Sequence, residues 1–429
     1  MEKENTAQMD LFEYQEQLEQ ESKYQSPYNS LAKLDQDTVF DFYNQLNKEE
    51  YHKVSRDDIC TPMDCVKQMV DYIPDEFWNR DRIRVLDPCV GNGNFPAYLM
   101  FKTKITNIWM SDINEIRVEN AKKLLNAENI FQMDFFDLKT SVNEKWDLII
   151  ANPPYSGGRN KNTSLSNSFI EESIDLLNDN GYLCFVTPNN WMTYNNNNTT
   201  LKKLLSLGSF KLIDNDVKRY FPQVGSSFTV FVWQKNVYDN TTKVINNYIL
   251  KDIKENITLP NNLPFIPLYI SQELINMIPK VIVDERNDFD YRCDLHNFTR
   301  KDYLSDFQDD SFKYKTIHTA RKTRYAKIKQ DIYDKWVIII PLSTYYVPYI
   351  ETNINVTQSV GYIAFDSYDE AEKYLSIIKR PIFKVFIHLT RYGNFNNIKV
   401  LRHIAFGKEI HLTDEETQEI NKLSKLIKY

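Results

Sequence analysis

The stretch Ile83-Arg84-Val85-Leu86-Asp87-Pro88-Cys89-Val90-Gly91-Asn92-Gly93-Asn94-Phe95 runs from an apolar segment into a glycine turn. Ile83, Val85 and Leu86 give residues 83–87 the β-branched, apolar character of a short buried strand. Gly91 and Gly93 permit dihedrals closed to other residues and let backbone approach a ligand closely. A helix predicted to start at this turn would offer its free N–H groups to an anionic group. The third glycine of a dinucleotide-binding turn is missing, with Phe95 and Pro96 in its place. That argues against a dinucleotide and for a smaller nucleoside cofactor.

Outward from the turn, short β-rich runs at 83–87, 108–112, 130–134, 146–152, 182–188, 210–214 and 227–234 alternate with helix-length segments such as 115–125 and 167–177. The alternation predicts an α/β fold with a doubly wound, mostly parallel sheet. Four of the strands end in Asp87, Asp112, Asp134 and Asn152. Ligands of such sheets sit outside the carboxyl ends of the strands, so these four side chains are expected around one crevice. Asp112 stands where an acid reaches ribose hydroxyls. Asn152-Pro153-Pro154-Tyr155 follows the apolar strand. The Asn amide can accept and donate hydrogen bonds. The prolines stiffen the turn and remove two N–H groups, leaving carbonyls as acceptors. Tyr155 supplies a flat face for a planar base. Methylation of an exocyclic amine needs this set: acceptors that hold the NH2 while the ring is stacked.

Composition narrows the classes. The 429 residues are 42% hydrophobic and 26% charged, as in ordinary globular proteins. A chain of this size buries a sizeable core without staples. No apolar run is long enough to span a bilayer, and the polar, acidic N-terminus reads neither as a signal peptide nor as a transit peptide. The five cysteines form no CxxC pair, so reduced thiols and a cytoplasmic location are expected, and no metal site is assigned. The net charge of −7 is concentrated in residues 1–50, which carry 12 acidic and 4 basic side chains, so the rest of the chain is close to neutral. A neutral body with local basic runs can still bind a polyanion.

Residues 55–235 resemble the S-adenosylmethionine-dependent DNA amino-methyltransferases, specifically the adenine-N6 group in which the cofactor motif comes first and the recognition domain last. The resemblance implies a Rossmann-like catalytic domain and S-adenosylmethionine as cofactor. In its terms Thr61 and Pro62 lie in the leading motif at the methionine end of the cofactor. Asp87, Pro88, Gly91 and Gly93 form the glycine-turn motif, Asp112 is the ribose-binding acid, and Asp134 with Phe135 holds the cofactor's adenine. Asn152, Pro153, Pro154 and Tyr155 are the catalytic turn, with Asn152 also beside the cofactor, and Phe221 is a second aromatic on a flipped-out base. From the residues alone, Phe221 also reads as a core aromatic, Thr61 as a helix N-cap followed by Pro62 at the first helical position, and Asp134 as a turn former.

The expected organisation is an acidic arm over 1–51, the catalytic domain over 52–235, an Asn- and Pro-rich linker over 236–267 and an α+β target-recognition domain over 268–429. Two acid-free basic stretches, 313–330 with Arg321, Lys322 and Arg324, and 379–408 with Arg391 and Arg402, are candidate phosphate contacts. Double-stranded DNA is the expected partner, with a separate restriction endonuclease compatible with the resemblance, no membrane, and a monomeric state. Transfer to RNA or to protein glutamine, or an inactive DNA-binding subunit, stays open.

Overall fold

The computed structural model describes residues 35–48, 59–155, 164–195, 198–222, 227–239, 241–289, 302–319, 322–393 and 395–427. Most of the expected arm, the loop at 156–163 and Arg321 lie outside them. A nine-stranded sheet organises the first 260 residues, in the order β3-β2-β1-β4-β5-β7-β6-β8-β9. Its strands are β1 (Val85–Asp87), β2 (Ile108–Asp112), β3 (Ile130–Gln132), β4 (Trp146–Ala151), β5 (Leu177–Pro188), β6 (Gly208–Asp214), β7 (Phe228–Lys235), β8 (Thr241–Asn246) and β9 (Ile253–Thr258). Strands β1 to β5 run parallel, and β7 is antiparallel to both β5 and β6. This is the α/β, doubly wound, mostly parallel sheet expected from the sequence.

Both faces are covered, and the period of two sorts the residues between them. Val85, Leu148, Ile150, Cys184 and Val186 enter one core with helices Met63–Asp71 and Asn94–Leu99. Leu86, Ile149, Ala151, Leu183 and Phe185 enter the other with helices Leu165–Leu176 and Thr199–Leu207. The second core continues without a break into Ile270, Leu274, Phe383, Phe386 and Leu401 of the C-terminal region. There, β13 (Trp336–Pro341) pairs with β14 (Tyr349–Thr352) and β16 (Val360–Phe365), beside a small sheet of β10 (Leu304–Ser305), β11 (Tyr314–Thr319), β12 (Lys322–Ala326) and β15 (Asn355–Val356). No helix among the described residues is long and apolar enough to cross a membrane.

Two expected boundaries change. Residues 236–267 are not a linker: β8 and β9 extend the sheet, and residues 263–270 are largely buried. Asn246, inside this segment, and Asn215, before it, tie the chain to backbone. The Asn246 amide exchanges hydrogen bonds of 2.8 and 2.9 Å with Ile270, and Asn215 Nδ2 donates to the Leu268 carbonyl at 2.9 Å. The end of the acidic arm is likewise part of the core on one face of this sheet. Helix Gln36–Leu46, capped by Asp35 on the Thr38 N–H, buries Val39, Phe40, Tyr43 and Leu46. The apolar residues recur at helical spacing, which outweighs the acidic composition of the segment around them.

Tyr43 sits where a side chain on Gly93 would reach, 3.3 Å from the position of an added Cβ. Truncating a fully buried aromatic costs about 3–5 kcal/mol. Tyr43→Ala should therefore lower stability by about that amount in urea denaturation. A loss below ~0.5 kcal/mol, as for an exposed position, would contradict the docking.

Candidate active site at the strand ends

The carboxyl ends of β1, β2 and β4 open on a cavity of about 1440 Å3. That exceeds the roughly 300–1,000 Å3 of a cleft for one small ligand. Thr61, Pro88, Gly91, Asp112, Asp134, Phe135, Asn152, Pro153, Pro154 and Tyr155 line it. Pro62, Asp87, Gly93 and Phe221 are not on its wall.

The glycine turn needs its glycines. Gly91 and Gly93 have φ of 54° and 88°. At Gly93 a Cβ would also press against Leu125 at 3.1 Å. The turn is tied to the next strand by the Gly91 N–H, which donates to Asp112 Oδ2 at 3.0 Å, while Asp112 Oδ1 accepts from Asn114 N at 3.0 Å. Burial raises the Asp112 carboxyl above the ordinary range, and these two backbone donors oppose the rise. Beside it, Ile113 is 69% exposed and Phe136 37% exposed, both on the cavity wall. Asp134 also lines the wall while accepting from Phe136 N at 3.0 Å, so its turn-forming role and its place at the cavity coexist. The Phe135 ring is buried and stacked on Phe169 at 4.5 Å.

The Asn152 turn is held from three sides. Its Nδ2 donates to the Ile59 carbonyl at 3.1 Å and to Thr61 Oγ1 at 3.0 Å, and the Tyr155 hydroxyl donates to its Oδ1. The Cys89 thiol donates to the Asn152 carbonyl at 3.5 Å, so the glycine turn and the Asn-Pro-Pro-Tyr turn are joined. Burial pushes the Cys89 thiol and the Tyr155 hydroxyl far up, so both stay protonated donors.

Several sequence readings change here. Thr61 does not cap the helix: the N-cap is Pro62, and the helix begins at Met63. Phe221 is buried behind the wall, stacked on Phe228, which meets the Tyr155 ring edge-on at 5.1 Å. It supports Tyr155 rather than facing the cavity. In the basic stretches, Arg391 is only 7% exposed and donates to the Thr344 carbonyl and Asn396 Oδ1 at 2.5 and 2.6 Å, so it is a structural cation. Lys322 and Arg324 share Asp306 at 3.1 and 2.7 Å, and Lys329 pairs with Asp334. These acids lie outside the acid-free runs in sequence, so counting along the chain could not reveal them. Among the described residues no three His, Cys, Asp or Glu side chains stand together as metal ligands. Asn92, Asn94, Arg117 and Lys203 line the cavity unforeseen; only the two asparagines, inside the glycine turn, carried a signal in the sequence.

Asp87 is fully buried one layer beneath the wall. Its Oδ1 accepts from Cys89 N at 3.2 Å, and its Oδ2 has no hydrogen-bond partner. Burial, with the Asp112 charge adding to it, pushes its pKa up to about 8. The folded chain therefore binds a proton that the unfolded chain releases above the ordinary carboxylate range. Stability should fall as pH rises towards 8, by up to about 1.4 kcal/mol per pH unit from this group. Asp87→Asn should flatten the decline of melting temperature between pH 5 and 8. An unchanged slope would mean that Asp87 is already ionised there.

Residues 77–215 match the family model described as Eco57I restriction-modification methylase. The chain is 26% identical over 197 residues to the type II methyltransferase M.VspI of Vibrio sp. (strain 343), covering 41% of this chain and 47% of that protein. It is 29% identical over 115 residues to ribosomal RNA small subunit methyltransferase C of Psychromonas ingrahamii, covering 26% of this chain and 32% of that protein. The chain thus spans less than half of these two curated relatives. The cryo-EM structure of a DrdV–DNA complex superposes with a TM-score of 0.53 at 11% identity, over 92% of this chain and 60% of that one, a likeness of fold. Residues 77–215 therefore carry the restriction-modification methylase pattern on a doubly wound α/β sheet, which upholds the family resemblance of the glycine turn and the Asn-Pro-Pro-Tyr turn.

Proposed function

We propose that this chain transfers a methyl group from S-adenosylmethionine to the N6 amine of an adenine flipped out of duplex DNA. The observation that carries the reading is the Asn152 amide, held on its nitrogen side by Ile59 and Thr61, opening on the same cavity as Asp112 and the glycine turn. The residues present suit the cofactor. Asp112 is a buried carboxylate for ribose hydroxyls, Ile113 and Phe136 offer exposed apolar surface for a purine, and the unpaired Oδ2 of Asp87 lies just behind the turn. When bound, S-adenosylmethionine supplies an electrophilic sulfonium methyl.

The chain's own groups do the rest. Oδ1 of Asn152 accepts one N–H of the incoming amine, taking over from the Tyr155 hydroxyl, and the Pro153 carbonyl accepts the other. Both draw the nitrogen lone pair towards the methyl, an interaction that strengthens as positive charge develops, and the methylated nitrogen then gives up one proton to solvent. The Tyr155 ring, backed by Phe228 and Phe221, is the stacking surface that offsets the cost of extruding the base. The cavity's excess volume leaves space for that base beside the cofactor. A monomer acting alongside a separate restriction endonuclease fits this reading. The ribosomal RNA methyltransferase relatives keep structured RNA as a second substrate class.

Methyl transfer to duplex DNA, with ribosomal RNA assayed in parallel, tests the substrate. Modified N6-adenine in DNA alone supports the proposal; transfer only to RNA overturns it. Asn152→Ala should reduce turnover by on the order of 100-fold or more while leaving cofactor affinity nearly intact. Asp112→Ala should do the reverse, weakening cofactor binding by ~1.5–3 kcal/mol through lost charge-assisted hydrogen bonds, as read by calorimetry. Unchanged cofactor affinity would remove Asp112 from the site.

A further inference from the structure

The neighbours of Asn152 determine which way its amide faces. A backbone carbonyl can only accept a hydrogen bond, so the amide atom 3.1 Å from the Ile59 carbonyl is the NH2 group. Its second N–H goes to Thr61 Oγ1 at 3.0 Å. Both amide donors are then used, and only Oδ1 remains for a ligand. Thr61 is 5% exposed, and its hydroxyl is not spent on capping the helix that follows. Its own carbonyl accepts from Asn94 Nδ2 at 2.8 Å, a buried bond to the first residue of the helix after the glycine turn. The next turn of chain is fixed as well, since Met63 N donates to Asn44 Oδ1 of helix Gln36–Leu46 at 3.3 Å.

We propose that Thr61 is a positioning residue: its hydroxyl, together with the Ile59 carbonyl, locks the Asn152 amide so that an amine meets a pure acceptor, and its carbonyl ties that lock to the glycine turn through Asn94. The proposal rests on the methyl-transfer reading above. A flipped amide would set its NH2 against the NH2 of the substrate, two donors face to face, and the amine would be neither held nor polarised. A lock of this kind acts on turnover. A direct contact with the cofactor would act on cofactor affinity instead.

Thr61→Val keeps the shape and removes the acceptor; Thr61→Ser keeps the hydroxyl. Cofactor affinity by calorimetry and single-turnover transfer to duplex DNA at saturating cofactor would be measured on the full chain. Thr61→Val should slow transfer by on the order of 10- to 100-fold with cofactor affinity within about twofold of wild type, and Thr61→Ser should restore the rate. Unchanged turnover, or a loss confined to cofactor affinity, overturns the proposal. A second measurement needs no activity. In Asn152→Asp a carboxylate would face the Ile59 carbonyl, and protonation would restore a donor there. The melting-temperature gap between this variant and wild type should therefore widen from pH 5 to pH 8, and a gap independent of pH overturns the proposal. A wild-type chain inactive on DNA that still shows the widening gap would overturn the substrate reading and leave the amide lock supported.

Discussion

Parallel pairing of β1 with β4, Val85 beside Leu148 and Leu86 beside Ile149, ends two strands at the same edge of the sheet. Each strand then releases a turn: the glycine turn after Asp87 and the Asn-Pro-Pro-Tyr turn after Ala151. Residues 63 apart in sequence come within reach of one thiol, as Cys89 donates to the Asn152 carbonyl. A one-residue slip of β4 would exchange its two faces, sending Leu148 and Ile150 to the core of Ile149 and Ala151. The backbone of the Asn152 turn is positioned through this register. Two apolar cores enforce it.

Several of the polar groups at that edge, buried or half-buried, have fixed partners. Asp112 is held by two backbone N–H groups, and Asn152 by a carbonyl and two hydroxyls. Such fixed partners let the side chains meet a ligand without reorganising, which is where low-dielectric sites gain most. Asp87 differs, with one oxygen unpaired and a proton retained to about pH 8. Its isolation lowers stability as pH rises towards 8 and leaves an unpartnered buried oxygen beneath the glycine turn.

The C-terminal region is joined to the nine-stranded sheet by apolar packing. Its helices Gln272–Val281 and Pro381–Leu389 share one core with Phe185, Phe231 and Trp233. The extra strands β8 and β9 carry the sheet up to this junction. Cations that look like a nucleic-acid surface in sequence are partly used inside the fold. Arg391 bonds a carbonyl and an amide, and Lys384 donates to the Ser424 and Ile427 carbonyls at the end of helix Asp414–Leu426.

Local patterning was sufficient for β1 to β7 of the nine-stranded sheet, although β5 begins five residues before its apolar run, and for the turns at Gly91–Gly93 and Asn152–Tyr155; it missed β8 and β9. Those features are set by side-chain period and backbone dihedral preference, which act over a handful of residues. What acts across the fold could not be read that way. The helix Gln36–Leu46 is covered because the glycine turn offers its buried residues a surface, although its neighbours in the chain are acidic. The 236–267 segment is ordered because β8 and β9 find strand partners in the sheet and Asn246 exchanges hydrogen bonds with Ile270, whereas Asn and Pro alone suggest a linker. Phe221 turns inward because Phe228 and Tyr155 stand before it, and Arg391 is buried because Thr344 and Asn396 accept its hydrogens. The direction of the Asn152 amide, on which the proposed chemistry turns, is fixed by Ile59 and Thr61 more than 90 residues earlier. A hydrogen bond between such positions exists only once the sheet has closed around them.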